Sequence, residues 1–253
     1  MNKDWGVRPI LFEVNNFKIE SYPFFVGLGI LLAIIFYIKL AKKEKKFRFR
    51  NIDIILASIV GGAIGSKLPI IIMNYDVFFK RPFDYRVLFY GKTIVGGIIG
   101  GIIAVYLVKK KLKIKQRIGN ELAPAIALGM GIGRLGCFFR GCCYGIETHS
   151  HYGVDFGDGL HRHPTQLYES IFNIIMFVIL LSLRKKVKEE GKLLKIFFTS
   201  YFIFRFLIEF IRIEEKIFYI LTAYQVGSLF AILLVNREYF INKIRREKGK
   251  AYE

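Results

Sequence analysis

Long apolar runs separated by knots of lysine and arginine dominate this chain. Residues 22–39, 52–73, 87–108, 121–139, 167–183, 194–211 and 217–235 each approach the roughly 20 mainly apolar residues that a helix needs to cross a bilayer. Barrel strands are the other structure whose backbone polar groups are all satisfied in lipid. These runs are too long for strands and lack the alternation of a barrel. The expected fold class is therefore all-α, a polytopic membrane protein with seven transmembrane helices. The first run does not read as a removed signal peptide, because 21 mixed residues including Asp4, Glu13 and Glu20 precede it and no small-residue cleavage site follows. No Ser/Pro-rich linker and no internal repeat divides the sequence. The whole of 1–253 reads as a single integral membrane domain.

Charge gives a second, independent reading. A net charge of +19 ordinarily points to nucleic acid. Mean hydropathy of +0.38 argues against that, since the apolar content exceeds what a soluble core of this size needs. The 25 phenylalanines exclude disorder, and three cysteines are too few, and odd in number, for a disulfide scaffold. The charge instead sorts by side. Segments 39–50, 109–117, 184–195 and 237–250 hold 25 of the 39 Lys and Arg residues. Segments 1–21, 74–86, 140–166 and 212–216, which alternate with them, hold only 10. The positive-inside rule then puts the N-terminus outside and the C-terminus in the cytoplasm. Residues 140–166 become an external loop and 237–253 a basic cytoplasmic tail.

Glycines four apart (Gly61/Gly65, Gly96/Gly100, Gly97/Gly101, Gly129/Gly133) predict close helix packing. Gly131, Gly133 and Gly136 match a dinucleotide fingerprint by spacing. They lie in an apolar helical run without the strand that such a site requires, so the match is accidental. Ionisable groups inside membrane segments are costly and mark function. Arg134 and Arg205 are such groups. Arg205, Glu209 and Arg212 follow one another at spacings of four and three, which places them on one helix face. That face is either a structural ion-pair ladder or the wall of a cationic cavity for an anion. Guanidinium forks suit phosphate and keep their charge in low dielectric. Lys67 and Lys92, toward the outer ends of their runs, read as structural or rim groups.

The 140–166 loop holds all four histidines, His149, His151, His161 and His163, beside Cys137, Cys142 and Cys143. The spacing fits no standard zinc framework, so no metal is expected. Adjacent Cys142 and Cys143 bridge each other only with strain, whereas Cys137 can pair with either. Pro164 marks the entry to the fifth helix, with Thr165, Gln166, Tyr168 and Glu169 on its first turns. Glu169 and Asn173, four apart in an apolar stretch, predict an inward polar face.

Three ordered stretches carry a family resemblance. Gly129 to Gly145 reads GMGIGRLGCFFRGCCYG, Arg162 to Glu169 reads RHPTQLYE, and Phe204 to Arg212 reads FRFLIEFIR. Together they resemble the prolipoprotein diacylglyceryl transferases, and Gln225 falls where that family has a glutamine in its last span. The resemblance implies a multi-pass enzyme of the bacterial plasma membrane. Such an enzyme moves a diacylglyceryl group from phosphatidylglycerol to the lipobox cysteine of a preprolipoprotein signal peptide, and glycerol phosphate leaves. It implies no cofactor. The partners are membrane lipids and the signal peptide, with no nucleic acid. The expected catalytic set is Arg134, Arg205 and Glu209, which match positions the family uses, with His163 as a nearby stand-in for a family histidine. The expected substrate-binding set is Tyr22, Gly133, Gly145, Gln166, Tyr168, Glu169, Arg212 and Gln225. Two departures stand out. The family's asparagine is Cys137 here, and its H-G-G element reads Val95-Gly96-Gly97, without the histidine. Thiol activation then falls to another group: His163, Glu209 or Lys92. The alternative reading is a non-catalytic or transport protein with an arginine-lined anion or phospholipid site.

Overall fold

The computed structural model describes residues 7–14, 17–73, 94–114, 118–214, 216–217 and 221–237. It falls into two compact units, one of residues 44–117 and one of 1–43 with 118–253. Seven α-helices occur among the described residues: α1 (Ser21–Lys43), α2 (Arg50–Met73), α3 (Ile94–Lys111), α4 (Gly119–Arg140), α5 (Thr165–Arg184), α6 (Lys192–Ile208) and α7 (Ala223–Val235). Four of them, α1, α2 (over Arg50–Pro69), α4 and α5, are long and apolar enough to cross a membrane. Three two-stranded antiparallel hairpins punctuate the helices: β1 (Ile10–Val14) with β2 (Phe17–Glu20), β3 (Val154–Asp155) with β4 (His161–Arg162), and β5 (Lys216–Ile217) with β6 (Leu221–Thr222).

Each of the seven apolar runs contains one of these helices, but two boundaries need correction. The run 217–235 starts as the β5–β6 hairpin, and its helix begins only at Ala223. A capping box sets that boundary: Gln225 N–H donates to Thr222 Oγ1 at 3.2 Å, and Thr222 N–H donates to Gln225 Oε1 at 2.9 Å. The run 194–211 is α-helical only to Ile208 and tightens into a single 3-10 turn over Glu209–Ile211. In the run 87–108, residues 87–93 and with them Lys92 lie outside the described residues, as does loop 74–86. Lys67 is half-buried on α2.

Small residues set the packing in each unit. In the first, α2 and α3 run antiparallel with Gly61, Gly65, Gly96 and Gly100 in the seam. A Cβ on Gly61 would stand 2.6 Å from the Gly100 carbonyl oxygen, so only glycine allows this approach. In the second unit, α1 closes on α4 in the same way. A Cβ on Gly29 would meet the Gly129 carbonyl oxygen at 2.6 Å. Ala123 and Ala127 of α4, Met176 and Leu180 of α5, and Leu193 and Phe197 of α6 form a buried apolar core. Asn120 locks one end of that core. Its Nδ2 donates to the Glu189 carbonyl at 2.8 Å, and its Oδ1 accepts from the Leu193 N–H at 3.0 Å, one of the free donors of the first turn of α6.

Helix α5 is polar inside and apolar outside. Gln166, Glu169, Ser170 and Asn173 are buried, while Ile171, Ile174, Ile175, Val178 and Ile179 are exposed. This inverts the pattern of a water-soluble helix and fits one that faces lipid with its apolar stripe. Asn173 is fully buried, as the spacing of Glu169 and Asn173 predicted.

Candidate active site

Helix α4 ends where its sequence directs it to. Gly141 takes a left-handed φ of 73°, its N–H returns to the Phe138 carbonyl at 2.9 Å, and the Cys142 N–H returns to the Cys137 carbonyl at 3.1 Å. The chain then folds back across the start of α5. Gly145 N–H donates to the His163 carbonyl at 2.8 Å, and His163 N–H donates to the Ile146 carbonyl at 3.1 Å. Gln166 Nε2 holds the Cys142 carbonyl at 2.5 Å, and Thr165 Oγ1 holds the Cys143 carbonyl at 2.7 Å. Gly145 sits where no side chain fits. A Cβ there would meet the Ile211 carbonyl oxygen, His163 Cβ and Thr165 Cγ2. The Ile146 N–H donates to the same Ile211 carbonyl at 2.9 Å, which ties the loop to the exit of α6.

Three buried guanidinium groups stand around this junction. Arg134 of α4 pairs through Nε with Glu169 Oε1 of α5 at 2.8 Å. Tyr201 of α6 donates its hydroxyl to the same carboxylate oxygen at 2.8 Å. Arg205 pairs with Glu209 at 2.9 Å and lies 5.2 Å from the ring centroid of Tyr224. Arg212 meets Glu214 at 2.8 Å and Glu209 at 3.6 Å, and its Nη1 donates to the Cys143 carbonyl at 3.3 Å. The groups feel one another electrostatically: Glu169 senses Arg205 as well as Arg134, and Arg212 senses Arg134.

One expectation changes here. Arg212 does not share a helix face with Arg205 and Glu209. The helix has ended, and Arg212 is extended at φ −94°, ψ 155°, bridged to Gly145. It reaches Glu209 all the same, because the 3-10 turn carries it there. Glu209 pairs with Arg205, and the partner of Arg134 is Glu169.

Two guanidiniums have a donor to spare. Arg134 Nη2 and Arg205 Nη1 are buried without a hydrogen-bond partner among the described residues. Arg212 Nε also lacks one but faces the Glu209 carboxylate at 3.6 Å, whose two oxygens lack hydrogen bonds in turn. An unmet buried donor costs about 1–3 kcal/mol. The two free donors, on different helices, suit an anion with several oxygens.

The remaining expected residues divide. His163 lies against Tyr168, with Nδ1 3.2 Å from the Tyr168 hydroxyl. Both side-chain ends of Gln225 are spent on backbone, in the capping box and on the Phe206 carbonyl at 3.4 Å. Tyr22 sits in the first turn of α1 with the Arg140 guanidinium 5.4 Å from its ring centroid. A Cβ on Gly133, beside Arg134, would meet nothing within 4 Å, so packing among the described residues does not demand glycine there. Val95 lies in the first turn of α3, in the other compact unit. The three cysteines are free thiols, so the bridge open to Cys137 is not formed. Sequence reasoning missed Tyr201, although it stands four residues before Arg205 and so on the same helix face. Cys143, named in the sequence only as a possible disulfide partner, takes a φ of 67° that is rare for a residue with a side chain.

Known proteins match most of the chain. The family described as prolipoprotein diacylglyceryl transferase matches residues 9–240. The phosphatidylglycerol–prolipoprotein diacylglyceryl transferase of Clostridium tetani is 34% identical over 249 residues, covering 95% of this chain and 100% of the relative. A Clostridium perfringens protein, phosphatidylglycerol–prolipoprotein diacylglyceryl transferase 2, is 31% identical over 96% of this chain and 100% of its own length. The Rickettsia conorii protein of the first name is 32% identical over 90% of this chain and 92% of its own. With this full-length likeness, and Arg134, Glu169, Arg205 and Arg212 gathered from three separate stretches of sequence, the chain belongs to the prolipoprotein diacylglyceryl transferase family.

Proposed function

We propose that this protein transfers the diacylglyceryl group of phosphatidylglycerol to the lipobox cysteine thiol of a prolipoprotein in a bacterial plasma membrane. The carrying observation is the cluster of Arg134, Arg205 and Arg212, with unspent buried N–H donors at Arg134 Nη2 and Arg205 Nη1. The chain spans the membrane seven times in this reading, with its N-terminus and the 140–166 loop outside, and acts as one integral domain.

The substrate thiolate attacks the glyceryl carbon, the carbon–oxygen bond to phosphate breaks, and glycerol phosphate departs with the electron pair. Negative charge grows on the phosphate oxygens during that step. Donors already fixed in a dry site stabilise it more in the transition state than in the ground state. Glu169 and Tyr201 hold Arg134, and Glu209 holds Arg205, so the forks do not reorganise. Gln166, Thr165 and the backbone at Gly145 and His163 keep the loop on the site, and Gln225 anchors the start of α7 to α6. Tyr22 and Gly133 line the approach for lipid, and Tyr168 holds the His163 ring.

The test is reconstitution of the purified protein into phosphatidylglycerol vesicles with a lipobox peptide. Mass spectrometry should show the peptide gaining one diacylglyceryl group while glycerol phosphate appears in equal amount. Vesicles of phosphatidylcholine alone should give no product. Arg134→Lys, which loses the two-pronged grip, should slow the reaction about 100-fold. Phospholipid moved between leaflets with no covalent product would overturn the reading in favour of transport.

A further inference from the structure

Resting on that reaction, Arg205 presents a question of geometry: what keeps its fork aimed when hydrogen-bonding partners hold so little of it. Its Nη2 pairs with Glu209 Oε2 at 2.9 Å, and its Nη1 has no hydrogen-bond partner among the described residues. A guanidinium tied at one nitrogen can still swing about that contact. Arg134 differs, since Glu169 grips its Nε at 2.8 Å and Cys137 Sγ lies 3.9 Å from its Nη1.

The further support of Arg205 is a ring. Its Cζ lies over the Tyr224 ring, 5.2 Å from the centroid. That is inside the distance of about 6 Å at which an aromatic face attracts a cation. The ring acts on the cation as a whole, so it steadies the group without an oxygen acceptor that would tie up an N–H. With the ring in place, Nη1 is still unspent.

Tyr224 is itself held firmly. It is the second residue of α7, between Thr222 and Gln225, whose capping box closes at 3.2 and 2.9 Å. Gln225 Nε2 donates to the Phe206 carbonyl at 3.4 Å, on the residue after Arg205. Ser228 Oγ donates to the Tyr224 carbonyl at 2.7 Å. The start of α7 is thus tied to α6 at the turn that carries the guanidinium, and the ring has little freedom to drift from it. Tyr224 also senses Glu209, Arg212 and Glu214, so it belongs to the same charged group.

We propose that Tyr224 is a positioning residue for the transfer reaction. Its ring face holds the Arg205 guanidinium so that Nη1 meets the departing phosphate. It acts through Arg205, and the electron-rich face, not the hydroxyl, performs the task. The effect falls on turnover. Charge on the phosphate oxygens grows toward the transition state, so an aimed donor counts for more there than in binding the lipid.

The experiment compares wild type, Tyr224→Phe, Tyr224→Leu, and protein carrying at position 224 a phenylalanine with one, two or three ring fluorines. Turnover and KM for phosphatidylglycerol are measured per folded protein, with a lipobox peptide, in vesicles where phosphatidylcholine dilutes the donor. Fluorine drains charge from the ring face and hardly alters its shape or apolarity, so a ring that merely packs would not respond. Tyr224→Leu should lower kcat about tenfold, and Tyr224→Phe should recover it to within about twofold of wild type. The fluorinated rings should lower kcat step by step, to about a tenth with three fluorines, while KM stays within about twofold. A flat fluorine series beside an active wild type would make the ring packing alone and overturn this proposal but not the transferase reading. So would Tyr224→Phe as slow as Tyr224→Leu, which would move the role to the hydroxyl, or a loss confined to KM. No product from wild type would overturn the transferase reading, and this proposal with it.

Discussion

Glu169 shows what a single side chain reveals and conceals. Its place in an apolar run marks it as an inward-facing acid, and burial confirms that. Its partner was not legible, because Arg134 and Tyr201 come from two other helices and no local spacing joins them. Arg205 and Glu209, four apart, were legible as a pair for the opposite reason. The environment of Glu169 sets an order of damage. Glu169→Gln leaves the Arg134 charge buried without a counter-charge, which should cost about 3–5 kcal/mol. Tyr201→Phe removes one hydrogen bond to a charged acceptor, about 1.5–3 kcal/mol, and keeps the ion pair. Unfolding in mixed micelles should rank wild type, then Tyr201→Phe, then Glu169→Gln. The reverse order would mean that Tyr201, not Arg134, is the main support of the carboxylate.

At the scale of the element, helices were read from their apolar runs and turns were not. The seven runs locate seven helices among the described residues because long apolar stretches favour helix, and four of these are long and apolar enough to cross a membrane. The β3–β4 and β5–β6 strands are two residues long, so although Val154 and Thr222 are buried no periodicity announces them. The β3–β4 hairpin rests on polar contacts. Asp155 Oδ1 accepts from the Gly157 and Gly159 N–H groups at 2.8 and 3.1 Å, and Arg162 Nε donates to Asp158 Oδ2 at 2.6 Å. Slight burial pushes the Asp158 carboxyl up, but the hydrogen bonds from Arg162 and the Leu160 N–H prevail and hold it below the usual carboxylate range. A lowered carboxyl stabilises the fold fully above its unfolded value of about 3.9, and that contribution is lost as pH falls through the lower folded value. Protection of the Leu160 amide from exchange should therefore be flat from pH 7 to about 4 and drop below that. In Asp158→Asn the drop attributable to this group should vanish. A wild-type profile still flat at pH 2 would sink the argument.

For the whole molecule, composition argued against soluble and nucleic-acid classes, and the charge asymmetry is the sole basis of the proposed orientation. The two compact units had no signal in the sequence, since glycine spacing predicts close helix pairs without naming the partners. Gly61 and Gly65 of α2 meet Gly96 and Gly100 of α3, while Gly29, outside any four-residue pair, meets Gly129. The proposed orientation is checked in a variant with all three cysteines changed to serine. His151→Cys in that background should react with an impermeant thiol reagent on intact spheroplasts, and Lys113→Cys only after lysis. Labelling in the opposite sense would invert the topology.

The pairing of Arg134 with Glu169 also constrains how the protein is made. The arginine lies inside an apolar helix, nearer its C-terminal end, and its carboxylate is added to the growing chain 35 residues later. At about 5–20 residues per second, synthesis leaves the charge without its partner for about 2–7 s. Tyr201, which completes the group, follows later still. An unaccompanied arginine costs about 2.5–3.5 kcal/mol at a helix centre on insertion scales, and less toward the end where Arg134 stands. Helix α4 therefore gains by waiting beside the translocation machinery, in water or against protein, until α5 emerges and the two leave for the lipid together.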